Sequence, residues 1–401
     1  MLRSPSRLCS MGARLLAGAG MNCIIVALTV ASLMVGTALA APAGQKGRPS
    51  KSDVCGECHR DIYKMWRGSA HAQAMDDPIF LEAYKETERR VGSSVTHICL
   101  GCHAPAAGII KDFDLEQKVS WEGVSCDICH GISDVQMLDT GPKLSFDIGL
   151  VKRGPIQDAT SMAHQVMYSE LHTTAKVCAP CHEYKNAEGT AIMTTYSEWL
   201  KSTAAAELKI CQDCHMSRTQ AEVVDPRVAR APGAQVNLHE VPGGHSLTQL
   251  NKALAVTLKS SRASGQLTVD VGLKNTGAGH SVPTGMPGRR VILDLSVKTS
   301  DGQSYSEQKI YGESFADSSG ATIERDSGYF ARGAKLVADN RIASGEQKNE
   351  TFRFPVAKPA TAYVSLKLHY EHSPTGTKEN RTYITFYSTE RMVAPETSAR
   401  Q

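Results

Sequence analysis

Two hydrophobic textures divide the chain. Between residues 55 and 215 no long run of apolar positions recurs at helical spacing, which predicts short helices and loops rather than a bundle. From about residue 250 the apolar positions fall at every second residue. LTVDVGL (267–273), VILDLSV (291–297), YVSLKL (363–368) and TYITFY (382–387) alternate as half-buried strands do. Asp301-Gly302 sits between two such runs, a hairpin signal. Roughly seven or eight short strands predict an antiparallel sandwich. The fold class expected is α+β: a mostly helical, loop-rich domain over 41–250, a β-sandwich over 251–391 and a tail over 392–401. Residues 277–288, GAGHSVPTGMPG, interrupt the strands with Gly and Pro; read alone, they form a long inter-strand loop that exposes His280.

The N-terminus has its own pattern. Arg3, Arg7 and Arg14 precede an apolar run over 23–40 that ends in Ala38-Leu39-Ala40. That is the layout of a secretory signal peptide, expected over 1–40; uncleaved, the run would be a membrane anchor just long enough to span. No later segment is apolar enough to cross a bilayer, so an exported body is expected, periplasmic or extracellular.

Composition adds little until the cysteines are placed. The 401 residues are 41% hydrophobic and 21% charged, with a net charge of +3, which argues against disorder and against a nucleic-acid partner. Losing the three N-terminal arginines would bring the charge to zero. Two of the twelve cysteines, Cys9 and Cys23, go with them. The ten that remain form five Cys-x-x-Cys-His units: Cys55, Cys58, His59; Cys99, Cys102, His103; Cys126, Cys129, His130; Cys178, Cys181, His182; and Cys211, Cys214, His215.

This spacing is that of c-type haem attachment. Two thiols about one helical turn apart form thioethers with the haem vinyls, and the adjacent histidine turns onto the iron. Structural zinc or a redox dithiol would need paired cysteines, but not a histidine after every second one. Five covalent haems are expected, and at this density the porphyrins would supply much of the apolar interior. No Cys follows Cys214, so the β domain would attach none.

Each iron needs a second axial ligand to be closed. Nine histidines lie outside the motifs: His71, His97, His164, His172, His239, His245, His280, His369 and His372. The first seven precede residue 285 and are candidates. His369 and His372 lie in the strand-like LKLHYEH and read as satisfied core residues. Met65, Met75, Met162, Met167 and Met216 are the competing thioethers, for which packing is the ordinary role.

Longer strings around these motifs resemble a known family. CGECHRDIYKMWRGSAHAQAM (55–75), with Tyr63, Trp66, Ser69 and His71, resembles the opening of the multihaem c-type cytochromes, which include the tetrahaem carrier of ammonia oxidisers. WEGVSCDICHGI, HQVMYSELHTTAKVCAPCHEY and TYSEWLKSTAAAELKICQDCHMS are similar to later blocks. GGHSLTQLNKALAVTL and KNTGAGHSVPTGMPGRRVIL resemble the join to a C-terminal β domain in related cytochromes, some of which polymerise into filaments. The resemblance covers roughly 52–390, with five motifs here against four in the nitrifier carrier. It implies His71, His164, His172, His245 and His280 as distal ligands, with His97 and His239 in reserve. It also implies that the 277–288 loop leans onto the haem domain to present His280.

The function expected is electron transfer between a redox protein donor and acceptor, along mostly bis-histidine haems, by a discrete carrier or a filament-forming homo-oligomer. No catalytic residue is expected, and any membrane attachment would run through an uncleaved signal segment. The alternative is an oxidoreductase that acts on a small nitrogen or sulfur compound at one open iron. All five motifs end in His, without the Lys that often marks such a site. A purely adhesive surface protein would leave the motifs unexplained.

Overall fold

The computed structural model describes residues 47–228, 234–330 and 334–396. The signal segment predicted over 1–40 and the last part of the tail, 397–401, lie outside the described residues. Among the described residues no helix is long and apolar enough to cross a membrane.

The alternating runs form eight strands: β1 (Leu254–Ala263), β2 (Gln266–Asn275), β3 (Arg289–Thr299), β4 (Ser304–Ala316), β5 (Lys335–Asp339), β6 (Gln347–Pro355), β7 (Ala362–His372) and β8 (Thr382–Val393). They pair antiparallel in two sheets, ordered β6-β2-β1 and β5-β4-β3-β7-β8. Leu267, Val269, Val271 and Leu273 of β2 point into one core with Val291, Leu293, Leu295 and Val297 of β3 and Val364, Leu366 and Leu368 of β7. Every one of these side chains is fully buried, each stabilising by roughly 1.5–3 kcal/mol. Gly302, at φ +85°, closes the β3–β4 hairpin where Asp301-Gly302 predicted a turn.

The N-terminal part is built differently. Its one long helix, Pro78–Val91, starts on Asp77, whose carboxylate accepts from the Ile79 N–H with Pro at the first position, and stops at Gly92 (φ +100°). Phe80, Leu81 and Tyr84 pack on Met75, Leu100, Ala104 and Ala107, a small apolar cluster. The other helices are short, and four two-stranded ribbons join them among the described residues: Ile132–Leu138 with Gly141–Phe146, Val151–Gly154 with Gln165–Tyr168, Tyr184–Lys185 with Ala191–Met193, and Arg218–Ala221 with Ala234–Asn237. These ribbons are an addition to the helical, loop-rich picture. They bury no alternate face, as the first shows with only Ile132 and Val135 buried, so period two was never written into them.

The sandwich packs directly on this part, after the helix Leu247–Ala253 leads into β1. Tyr184, Ile192 and Met193 share a cluster with Phe315 and Tyr329. Arg325 meets Glu86 at 2.5 Å, and the 277–288 loop leans on the helix Thr195–Leu200 through a 2.9 Å bond between Thr284 and Thr195.

Candidate haem-binding site

Short helices carry the motif cysteines. Cys126–His130 and Cys211–His215 are each one helical turn, Cys99 and Cys102 end the helix Ser93–His103, and Cys181 and His182 lie on Ala179–His182. Residues i and i+3 then share one face. All ten thiols are free, nine of them partly buried and Cys214 exposed. Among the described residues no three His, Cys, Asp or Glu side chains converge on one point.

Thiols of different motifs meet instead. Cys55 lies against Cys126, Cys102 against Cys181, and Cys178 against Cys211. In each pair the neighbouring thiol, then burial, pushes one member up: Cys55, Cys181 and Cys178. Cys129, pushed up to about 11 by burial, is also felt by Cys178 and Cys181. The fourth motif therefore borders the second, third and fifth, and the third borders the first.

Four of the five motif imidazoles share one hydrogen-bond pattern. His59 Nδ1 reaches the Val223 carbonyl at 2.5 Å, His103 that of Ala74 at 3.1 Å, His130 that of Arg153 at 2.6 Å and His215 that of Pro242 at 2.7 Å. A carbonyl only accepts, so Nδ1 carries the proton and the Nε2 lone pair is free. Burial pushes His130 down to about 4 and His182 to about 3, which keeps both in the neutral, ligating form.

Second imidazoles face four of these rings. Ring centres lie 6.1 Å apart for His59 and His164, 6.3 Å for His182 and His71, 6.5 Å for His130 and His239, and 6.2 Å for His215 and His280. A metal–imidazole bond is about 2 Å long, so two axial imidazoles on one iron would stand about 6 Å apart. His164, His239 and His280 repeat the pattern, with Nδ1 on the carbonyls of Gln165 (3.1 Å), Asn237 (2.6 Å) and Ser281 (2.9 Å). His172 also lies 6.3 Å from His130. Both of its nitrogens are engaged, Nδ1 with Ser169 Oγ at 2.8 Å and Nε2 with the Cys129 carbonyl at 2.9 Å.

His103 is the exception. Phe80 stacks on it at 3.8 Å, and among the described residues no imidazole faces it at the separation of the other four. His245 stands edge-on to Tyr370 at 6.2 Å and shares the charged neighbours Asp77 and Arg289 with His103. His97 is away from the motif rings, stacked on Phe113 at 4.2 Å. His369 is held by Asp294 and Thr385, and His372 by Asp326. Met75 is fully buried in the Leu100 cluster, whereas Met162 is 96% exposed.

The loop at 277–288 is not the exposed connection that its Gly and Pro content suggests. Glu198 accepts from the Ser281 N–H at 2.9 Å and the Thr284 hydroxyl at 2.8 Å, which sets His280 across from His215. Nothing in the sequence marked Glu198 for this work. Arg289, bonded to the Thr284 carbonyl at 3.1 Å, has a buried Nε without a partner, and so does the Tyr370 hydroxyl. Facing imidazoles, unpaired thiols across the motifs and an unsatisfied guanidinium of the kind that takes a propionate all fit covalent haem.

Residues 54–131 match the family described as cytochrome c554 and c-prime. Cytochrome c-554 of Nitrosomonas europaea is 31% identical over 115 residues, 27% of this chain and 47% of that protein. The match thus spans about half of that relative. The penta-haem cytochrome c552 of Thermochromatium tepidum shares the fold with a TM-score of 0.68 at 21% identity, covering 87% of this chain and 100% of that one. The chain is similar to multihaem c-type cytochromes, as its motif strings suggested.

Proposed function

We propose that this chain is an exported, pentahaem electron-transfer cytochrome. The observation that carries the reading is the set of four facing imidazole pairs. Cys55 and Cys58, Cys99 and Cys102, Cys126 and Cys129, Cys178 and Cys181, and Cys211 and Cys214 would each hold one haem by thioethers. His59, His103, His130, His182 and His215 are the proximal ligands. His164, His239, His71 and His280 are assigned across from His59, His130, His182 and His215. His239 replaces His172, because a nitrogen already 2.9 Å from the Cys129 carbonyl is not directed at an iron. His245 is assigned to the second motif by its shared surroundings with His103.

Haem so bound supplies one-electron cycling of iron. The chain's residues fix its potential and its neighbours: Nδ1 bonds orient His59, His103, His130, His164, His215, His239 and His280, and the meeting thiols bring successive motifs together. The contacts describe a branched path from the first motif to the third and fourth, then out to the second and the fifth. Electrons would enter from a redox protein donor and leave to an acceptor; the same branched layout suits a discrete carrier or a subunit of a filament. The resemblance to exported cytochromes and the segment over 1–40 support a periplasmic or extracellular place.

One observation favours a second reading. Among the described residues no imidazole faces His103 at the separation of the other pairs, so its iron would be the one open to a small nitrogen or sulfur compound. Electron paramagnetic resonance of the oxidised, haem-loaded protein decides between them. Five low-spin signals support the carrier with His245 closing the second site; a high-spin signal lost on adding a small ligand supports the oxidoreductase.

A further inference from the structure

A buried ion cluster adjoins the 277–288 loop through Glu198. Arg341 is 7% exposed, and its guanidinium meets Glu198 at 2.7 Å, Asp339 at 2.8 Å and Glu313 at 3.0 Å. One cation among three carboxylates leaves two negative charges in a poorly solvated place, which such a site resists.

The three acids are not equivalent. Glu198 accepts from Thr194, the Ser281 N–H and Thr284 as well as Arg341; Arg341 and these bonds outweigh burial and hold it below its ordinary range. Asp339, exposed, accepts three times from Arg341 and feels Lys348, and is also held down. Glu313 on β4 has Arg341 as its one ion-pair partner among the described residues, and its side chain is 6% exposed. Burial pushes it up to about 7, helped by repulsion from Asp339 and Glu198 and opposed by Arg341. The remaining groups nearby are Tyr329, which feels Glu313, and Arg290, which faces Tyr329. The cluster reaches the fifth motif through one link: Glu198 holds the Ser281 N–H, and the His280 ring feels both Glu198 and Arg341.

We propose that Glu313 is a proton acceptor coupled to the fifth motif, taking one proton as one electron arrives at the group held by Cys211, Cys214, His215 and His280. The inference rests on the assignment of His280 as a ligand there. The electron comes from the redox partner by way of the other motifs. The proton comes from water past Asp339, which is 35% exposed, and the bond formed is the O–H of the Glu313 carboxyl. On oxidation both leave by the same routes. Adding an electron removes a positive charge from a low-dielectric interior, which raises the proton affinity of a buried carboxylate linked to that site.

The test uses the full-length, haem-loaded protein. In redox titrations across the neutral range, one midpoint potential falls as pH rises. In infrared redox-difference spectra, reduction brings up a protonated-carboxyl band that shifts when glutamate is isotopically labelled. Glu313→Gln abolishes both, and Glu313→Asp keeps a pH dependence. The proposal is overturned if the wild-type protein gives no labelled carboxyl band, or if band and slope persist in Glu313→Gln. Paramagnetic resonance on the same samples separates the two claims. Intact bis-histidine signals without the band sink the proton site alone, whereas an open fifth iron sinks the His280 assignment.

Discussion

Assigning His239 rather than His172 turns on which ring nitrogen is free. Both rings lie within 6.5 Å of His130, but only His239 has its single bond on Nδ1. His239→Ala is therefore expected to convert one low-spin signal to high-spin, while His172→Ala leaves the spin count unchanged; paramagnetic resonance of the two variants checks it. Gly123 sets another ligand. At φ +64° it brings Val124 N to the His71 carbonyl at 2.9 Å, and a methyl group there would run into that same oxygen. Gly123→Ala should cost at least about 1–2 kcal/mol from the left-handed backbone alone, and displace His71, read as a lower Tm with loss of a low-spin signal. The motif residues were legible because thioether chemistry fixes their spacing locally. Their pairing was not, because His59 and His164 meet only through the fold, and the Val223 or Pro242 carbonyls that orient the imidazoles have no side-chain signature.

At the level of elements, the sandwich was legible wherever a strand buries one face. VILDLSV hides Val291, Leu293, Leu295 and Val297, and that alternation survives in the sequence. The ribbons of the N-terminal part hide no such face and left no trace. The seam between the two parts was equally silent, since Glu198 sits on a six-residue helix and Arg341 just after β5, far apart in the chain. Arg341→Met leaves Glu198 and Glu313 buried without their cation and should destabilise by about 3–5 kcal/mol, measurable in denaturant unfolding. Glu313 gives a signed pH effect. Its folded value of about 7 lies above the ordinary 4.5, so the unfolded chain loses this proton first as pH rises. Its contribution to stability is full below about 4.5, declines between there and about 7, and is level above. Thermal melts of Glu313→Gln should lack that part of the decline.

Across the whole molecule the two halves hold together by different means. The sandwich owns a core of fully buried Val, Leu and Tyr side chains, whereas the motif-bearing part has a small cluster around Met75, Leu100, Ala104 and Ala107 and scattered buried side chains such as Trp66, Ile128, Val135 and Ile148. Protein expressed without haem attachment is therefore expected to keep slow amide exchange in β2, β3 and β7 and to exchange rapidly over residues 52–215. Hydrogen exchange read by mass spectrometry checks this; equal protection of both parts would show a haem-independent core in the first. The sparse apolar pattern between the motifs was in this sense the most informative part of the sequence.

The carbonyls that receive the imidazole protons have a consequence for descent. Val223, Arg153, Ala74 and Pro242 offer main-chain oxygens, which every residue type possesses. Point mutation at any of these four positions changes the side chain and leaves the acceptor in place. The ligand basicity set by these bonds is therefore shielded from genetic drift. Only an insertion, a deletion or a rerouted segment can retune it, so lineages of this chain would adjust their redox steps in jumps of loop length rather than residue by residue.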